Sequence, residues 1–103
     1  TGLYMEIEQG YEGQVRPRSG CAVKQGLTVI NTPGTIDADY RGEVGVPLIN
    51  LSTEPQTIEN GDRVAQIVFA PYAKVEEIIE VSDVSEMTDT ERGAGGFGHS
   101  GKK

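Results

Sequence analysis

Apolar and polar positions alternate from Leu3 through Met5 and Ile7, which predicts a half-buried strand over Leu3 to Glu8. The Gln9-Gly10 turn leads into a second strand, Tyr11 to Arg16. After Pro17, Ser19 is placed to cap a short helix running to Val23 or Lys24 and closed by Gly26. Leu27 to Ile30 is apolar and β-branched, a strand that feeds a tight turn. Glu43 to Leu51 is a further strand, whose Pro47 predicts an edge position or a bulge. Gln56 to Glu59 reads as a short strand, Asn60-Gly61-Asp62 as a hairpin turn, and Arg63 to Tyr72 as a long apolar strand. Val75 to Val81 is another strand, although Glu76 and Glu77 also permit a helix. About seven short strands with almost no helix predict an all-β domain of jelly-roll or barrel-like form.

The pattern changes at Ser82. Seven acidic residues and no basic one lie between Glu76 and Glu91, while apolar residues thin out. Ser82 to Glu91 therefore reads as a solvated linker. A Gly-rich tail follows from Arg92. The expected organisation is a β-barrel domain over 1–81, an acidic linker over 82–91 and a Gly-rich arm over 92–103.

Composition narrows the class. The chain has 103 residues, enough for one small domain. A domain of this size buries only about two-thirds of its unfolded surface, so oligomerisation would add stability. Hydrophobic residues make up 36% and aromatic residues 6%, without Trp, so the core must be aliphatic. A net charge of −7 argues against nucleic acid or an anionic membrane as partner, because phosphate surfaces require a basic face. The five Arg (16, 18, 41, 63 and 92) each stand in a turn-like context. Their rigid forks suit phosphate or carboxylate oxygens, which suggests a small anionic ligand; surface pairs with carboxylates are the plain alternative. Cys21, the only cysteine, excludes an internal disulfide, fits a reducing compartment and reads as a buried, inert thiol. No apolar run is long enough to span a membrane and no secretory signal is present. The chain opens at Thr1 without Met and reads as a fragment.

Chemistry concentrates between Asn31 and Val44. This stretch is expected to place Asn31, Asp37, Asp39 and Tyr40 on one tight hairpin between two apolar strands. A turn needs one or two polar residues. Two carboxylates, an amide, an aromatic ring and Arg41 exceed that need and suggest a ligand site. Asp37 is the candidate base, with Asp39 pairing Arg41 or capping the turn; carboxylates idle in solvent are the alternative. Tyr40 is either a pocket wall or an ordinary half-buried strand residue. Arg18-Ser19-Gly20 joins a guanidinium, a hydroxyl and free amides in a grouping able to hold phosphate. Gln66 falls in an apolar run, where a buried amide must be satisfied by protein, water or ligand. In the tail, Phe97 has no use in a plain linker but suits an arm closing on a planar ligand. His99 lacks partners at metal-ligand spacing and reads as exposed.

In chain order these pieces resemble the trimeric deoxyuridine triphosphatases (dUTPases, dUTP diphosphatases), a family with five short motifs. Pro17-Arg18-Ser19-Gly20 resembles the second, Gly34 to Gly42 the third, Gly61 to Gln66 the fourth, and Arg92 to Gly98 the fifth. The resemblance implies a jelly-roll-like distorted β-barrel of the β-clip type, a homotrimer with a swapped C-terminal arm, and active sites shared between subunits. It implies attack of water on the α-phosphorus of dUTP, giving dUMP and pyrophosphate, which supplies dTTP precursor and keeps uracil out of DNA. Asp37 would bind the attacking water and the deoxyribose 3′-hydroxyl. Asn31 and the backbone from Gly34 through Thr35 and Ile36 would read the uracil, with Tyr40 under the deoxyribose. Arg18, Ser19, Gly20 and Gln66 would hold phosphates. Arg92, Phe97 and Gly98 would come from the arm. Mg²⁺ is the implied cofactor, held through the phosphates and an Asp of the first motif. That motif, an Ala-Gly-x-Asp-Leu segment, is absent from this chain and would lie upstream of Thr1 with one or two strands. A cytoplasmic location is implied, nuclear or organellar in a eukaryote. The rivals are a dCTP deaminase-like enzyme and a catalytically impaired deoxynucleotide-binding protein of the same fold.

Overall fold

Gly13 and Val15 are buried on β1 (Tyr11–Pro17), the strand around which the larger sheet is built. The computed structural model describes residues 1–102; Lys103, the last residue of the expected arm, lies outside them. On one edge β1 pairs antiparallel with β3 (Gly34–Ile36), Gly13 opposite Ile36 and Val15 opposite Gly34. On the other it pairs antiparallel with β5 (Ala65–Pro71) along its whole length, from Tyr11 opposite Pro71 to Pro17 opposite Ala65. A second, two-stranded sheet joins β2 (Leu27–Val29) to β4 (Leu48–Asn50), with Thr28 opposite Ile49. Strand is the larger share of the regular structure, with one short helix, α1 (Ser19–Gln25). Among the described residues the strands form two separate sheets and do not close into a barrel. No helix among the described residues is long and apolar enough to cross a membrane.

Among the described residues five strands form where about seven were expected. Leu3 to Glu8 keeps its alternation, with Met5 and Ile7 half-buried and Glu6 and Glu8 exposed. Across to another segment its backbone nonetheless finds the bridge from Tyr4 to Glu43 and the Val44 amide donating to Leu3 O at 2.9 Å, short of a ladder. Alternation prepares a strand, but a ladder needs a neighbour along its length. The same holds for Val75 to Val81, which is exposed and forms neither strand nor helix, and for Gln56 to Glu59. The turn after Glu59 does form: the Asp62 amide donates to Glu59 O at 3.0 Å, and the Glu59 amide to Asp62 Oδ2 at 2.9 Å.

The two apolar strands flanking Asn31 to Val44 do pair antiparallel, β2 with β4 inside Glu43 to Leu51. What is corrected is the tight turn between them: β3 within that stretch leaves for the edge of β1. The polar stretch thus bridges two sheets. At α1 the N-cap is Arg18, extended and without a side-chain capping bond, so Ser19 is not the cap. Gly26 ends the helix in the left-handed region, φ 67°, its amide bonded to Ala22 O at 3.1 Å. A methyl there would also lie 2.9 Å from the backbone nitrogen of Ser52. Gly26→Ala is therefore expected to cost about 1–3 kcal/mol, read as a lower urea midpoint at unchanged slope.

The buried apolar core is small: Val15, Leu27, Val29, Ala38 and Val44. The Cα radius of gyration is 19.5 Å, against about 13 Å for a compact domain of this length. Much apolar surface stays uncovered, with Val75 73%, Ile78 89% and Ile79 74% exposed.

Candidate functional site

Ala38 is buried, and it anchors the turn that follows β3. The Tyr40 amide closes this turn on Asp37 O at 3.1 Å. Asp37 and Asp39, on either side of Ala38, are left exposed. Both line a polar cleft of about 330 Å³ with Gln9, Tyr72 and Lys74. Sequence reasoning missed those three residues. They arrive because Tyr11 pairs with Pro71, which brings the residue groups just before β1 and just after β5 together; the Tyr72 amide donates to Gly10 O at 3.1 Å. Only knowledge of that register would have revealed them.

Asp39 does not pair with Arg41, one of the two roles expected for it. The Arg41 guanidinium instead grips main-chain oxygens of its own turn and approaches Glu6, with 3.7 Å between Nη2 and Oε1. Tyr40 is 43% exposed, and its hydroxyl donates to Glu43 O at 2.7 Å. Its ring lies so close over Gly42 that a methyl there would meet Cε1 at 2.8 Å. Asn31 lies against Gly34, where an added Cβ would be 3.2 Å from its Nδ2. Thr35 is exposed on β3 beside half-buried Ile36.

A second group forms at the opposite end of β1. The Arg18 guanidinium donates to Arg63 O at 3.1 Å, as does the Cys21 thiol at 3.3 Å. Gln66 Nε2 donates to Pro17 O at 3.0 Å. Gln66 is exposed, so the buried amide expected from its apolar neighbours is corrected: alternation along β5 turns it outward. Cys21 is only partly covered. Ser19 and Gly20 are exposed in the first turn of α1. Arg18 commits one bond to Arg63 O, and a guanidinium carries five donors, so the rest can face a ligand.

The linker is exposed but not featureless. A 3₁₀ turn (Val84–Glu86) is capped by Asp83. The Glu86 carboxylate accepts from the Asp83 and Ser82 amides and the Ser82 hydroxyl, and these bonds hold its pKa below the usual carboxylate range. Beyond it the bonds are local: Arg92 Nε donates to Gly95 O at 2.7 Å and the His99 amide to Gly96 O at 2.9 Å. Phe97 is fully exposed.

Glu12 faces Ala70, and Arg16 faces Gln66, so the Asp37 turn beyond Ile36 and the Arg18–Gln66 group sit at opposite ends of one ladder. Along β1, Asp37 and Gln66 stand about four residues apart, about 14 Å, and Arg18 lies two residues further. Fold and site together define a class: a small β domain displaying two distinct polar groups and a Gly-rich tail. Comparison with known proteins makes this particular. The dUTPase family model matches residues 1–101, and the chain belongs to the dUTPase family. It is 60% identical over 101 residues to the deoxyuridine 5′-triphosphate nucleotidohydrolase of Desulfotalea psychrophila, covering 98% of this chain and 65% of the relative. It is also 60% identical over 102 residues to that of Nautilia profundicola, covering 99% and 69%. The chain thus spans about two-thirds of these relatives' length. A Staphylococcus bacteriophage 80alpha dUTPase structure with dUPNHPP superposes with a TM-score of 0.75 at 28% identity, covering 96% of this chain and 72% of that one. A mutant dUTPase of phage phi11 of S. aureus, whose structure concerns coordination of a structural Mg(II) ion, superposes at 0.62 with 27% identity, covering 78% and 67%. The fold is consistent with the β-clip of these enzymes.

Proposed function

We propose that this chain is the greater part of a dUTP diphosphatase, which hydrolyses dUTP to dUMP and pyrophosphate in a homotrimer. The observation that carries this reading is the placement of the Asp37 turn and the Arg18–Gln66 group on opposite edges of β1. Displaced along the strand by about 14 Å at Gln66 and about 20 Å at Arg18, they are the parts that a site shared between subunits would bring together. Packing of copies against one another supplies the Asp37 turn from one subunit and the Arg18–Gln66 group from another. The small core and the exposed Val75, Ile78 and Ile79 support such assembly, since apolar surface of this kind marks protein interfaces.

In this reading Asn31 and the backbone of Gly34, Thr35 and Ile36 address the uracil. Gly34 leaves room for the Asn31 amide. Tyr40 packs under the deoxyribose. Asp37, exposed at the cleft, holds a water and takes its proton as that water attacks the α-phosphorus. Arg18, Ser19, Gly20 and Gln66 bind phosphate oxygens. Arg92, Phe97 and Gly98 close over the nucleotide from the tail and exclude bulk water. Mg²⁺ would be carried by the triphosphate and its own waters, where it would draw charge from the phosphate chain.

The test is pyrophosphate release from dUTP measured beside ammonia release from dCTP. Pyrophosphate alone is expected. Ammonia would mean a deaminase of this fold, and neither product with retained nucleotide binding would mean a protein that has lost catalysis.

A further inference from the structure

Arg41 is absent from the substrate contacts just described, yet its guanidinium is the most heavily engaged side chain on the Asp37 turn. Nη1 donates to Ala38 O at 2.7 Å and to Tyr40 O at 3.2 Å, while Nη2 stands 3.7 Å from Glu6 Oε1. The turn it spans has one other main-chain closure, the Tyr40 amide to Asp37 O at 3.1 Å. Both Asp37 and Tyr40 are exposed, so few packing contacts restrain them. We propose that Arg41 is a positioning residue: by gripping the carbonyls of Ala38 and Tyr40 it fixes the turn from which Asp37 and Tyr40 address the substrate. This deepens the dUTP reading above and rests on it.

The grip lies in the carbonyl bonds. Charge-assisted bonds of this kind are the stronger class, whereas the Glu6 pair is exposed on both sides and contributes little. Lysine keeps the charge but offers a mobile point where arginine offers a rigid fork. Loosening the turn misplaces the catalytic carboxylate and loosens the Tyr40 ring, a packing contact tolerant of small shifts, so the loss should fall far more on kcat than on KM.

The experiment compares Arg41→Ala, Arg41→Lys and Glu6→Gln in the full chain by dUTP kinetics and by amide hydrogen exchange. For Arg41→Ala, kcat should fall about tenfold or more with KM within about threefold, and the Tyr40 amide should exchange about tenfold faster while the β1–β5 ladder keeps its protection. Arg41→Lys should recover part of both effects, and Glu6→Gln should match the parent. The lysine variant keeps the comparison open if the alanine variant does not fold. Unchanged Tyr40 exchange, or a raised KM with kcat preserved, would overturn the proposal. Absence of dUTP hydrolysis by the parent chain would sink the functional reading instead, while the exchange data would still report whether Arg41 holds the turn.

Discussion

Asp37→Asn is expected to lower kcat for dUTP by about 10²-fold or more, the scale of losing a general base, with nucleotide binding retained. Asparagine matches aspartate in shape, so the turn closed by the Tyr40 amide and anchored by buried Ala38 should persist. What disappears is the only proton acceptor that Asp37 brings to the cleft. Asp39 lines the same cleft from the other side of Ala38, so Asp39→Asn is the control variant and should lose far less. The ladder geometry adds a second readout. Asp37 and the Arg18–Gln66 group lie at opposite ends of β1, so chains carrying Asp37→Asn and chains carrying Arg18→Ala should regain activity when unfolded and refolded together. Each mixed trimer can then form a site with both groups intact. Near-normal turnover by Asp37→Asn at saturating dUTP would remove that carboxylate from the mechanism, and failure of the mixture to recover would place each site within one chain.

Ending the chain at Glu91 is expected to reduce kcat/KM by about 10²-fold or more, since a lid and an Arg clamp would be lost together. The body should be untouched. Arg92 bonds to Gly95, His99 to Gly96 and Gly101 to Gly98, so the tail's bonds close within itself or on Thr90. Fully exposed Phe97 contributes no packing to this chain. Ordering a segment so rich in glycine carries a high entropy cost, which nucleotide contacts must offset. Melting temperature and sedimentation should therefore match the full chain while activity does not. Full activity in the shortened protein would reduce the tail to a linker.

Residue identity and spacing by themselves determined what is local. The strand character of Tyr11 to Arg16 and of Arg63 to Tyr72, and the short helix closed by Gly26, follow from alternation, β-branching and a left-handed cap, each decided within a few residues. The groupings Arg18-Ser19-Gly20, Asp37 to Tyr40 and Arg92 to Gly98 were legible for the same reason. Partnership was not. Gly34–Ile36 left the turn between β2 and β4 for the edge of β1, and Leu3 to Glu8 and Val75 to Val81 kept strand-like patterns without a ladder. Pairing depends on which distant edge is free, and alternation does not encode that. The same non-local choice brought Gln9, Tyr72 and Lys74 to Asp37 and turned Gln66 outward. It also left Arg41 facing main-chain carbonyls in place of Asp39, because a side chain takes the acceptors that the folded backbone presents.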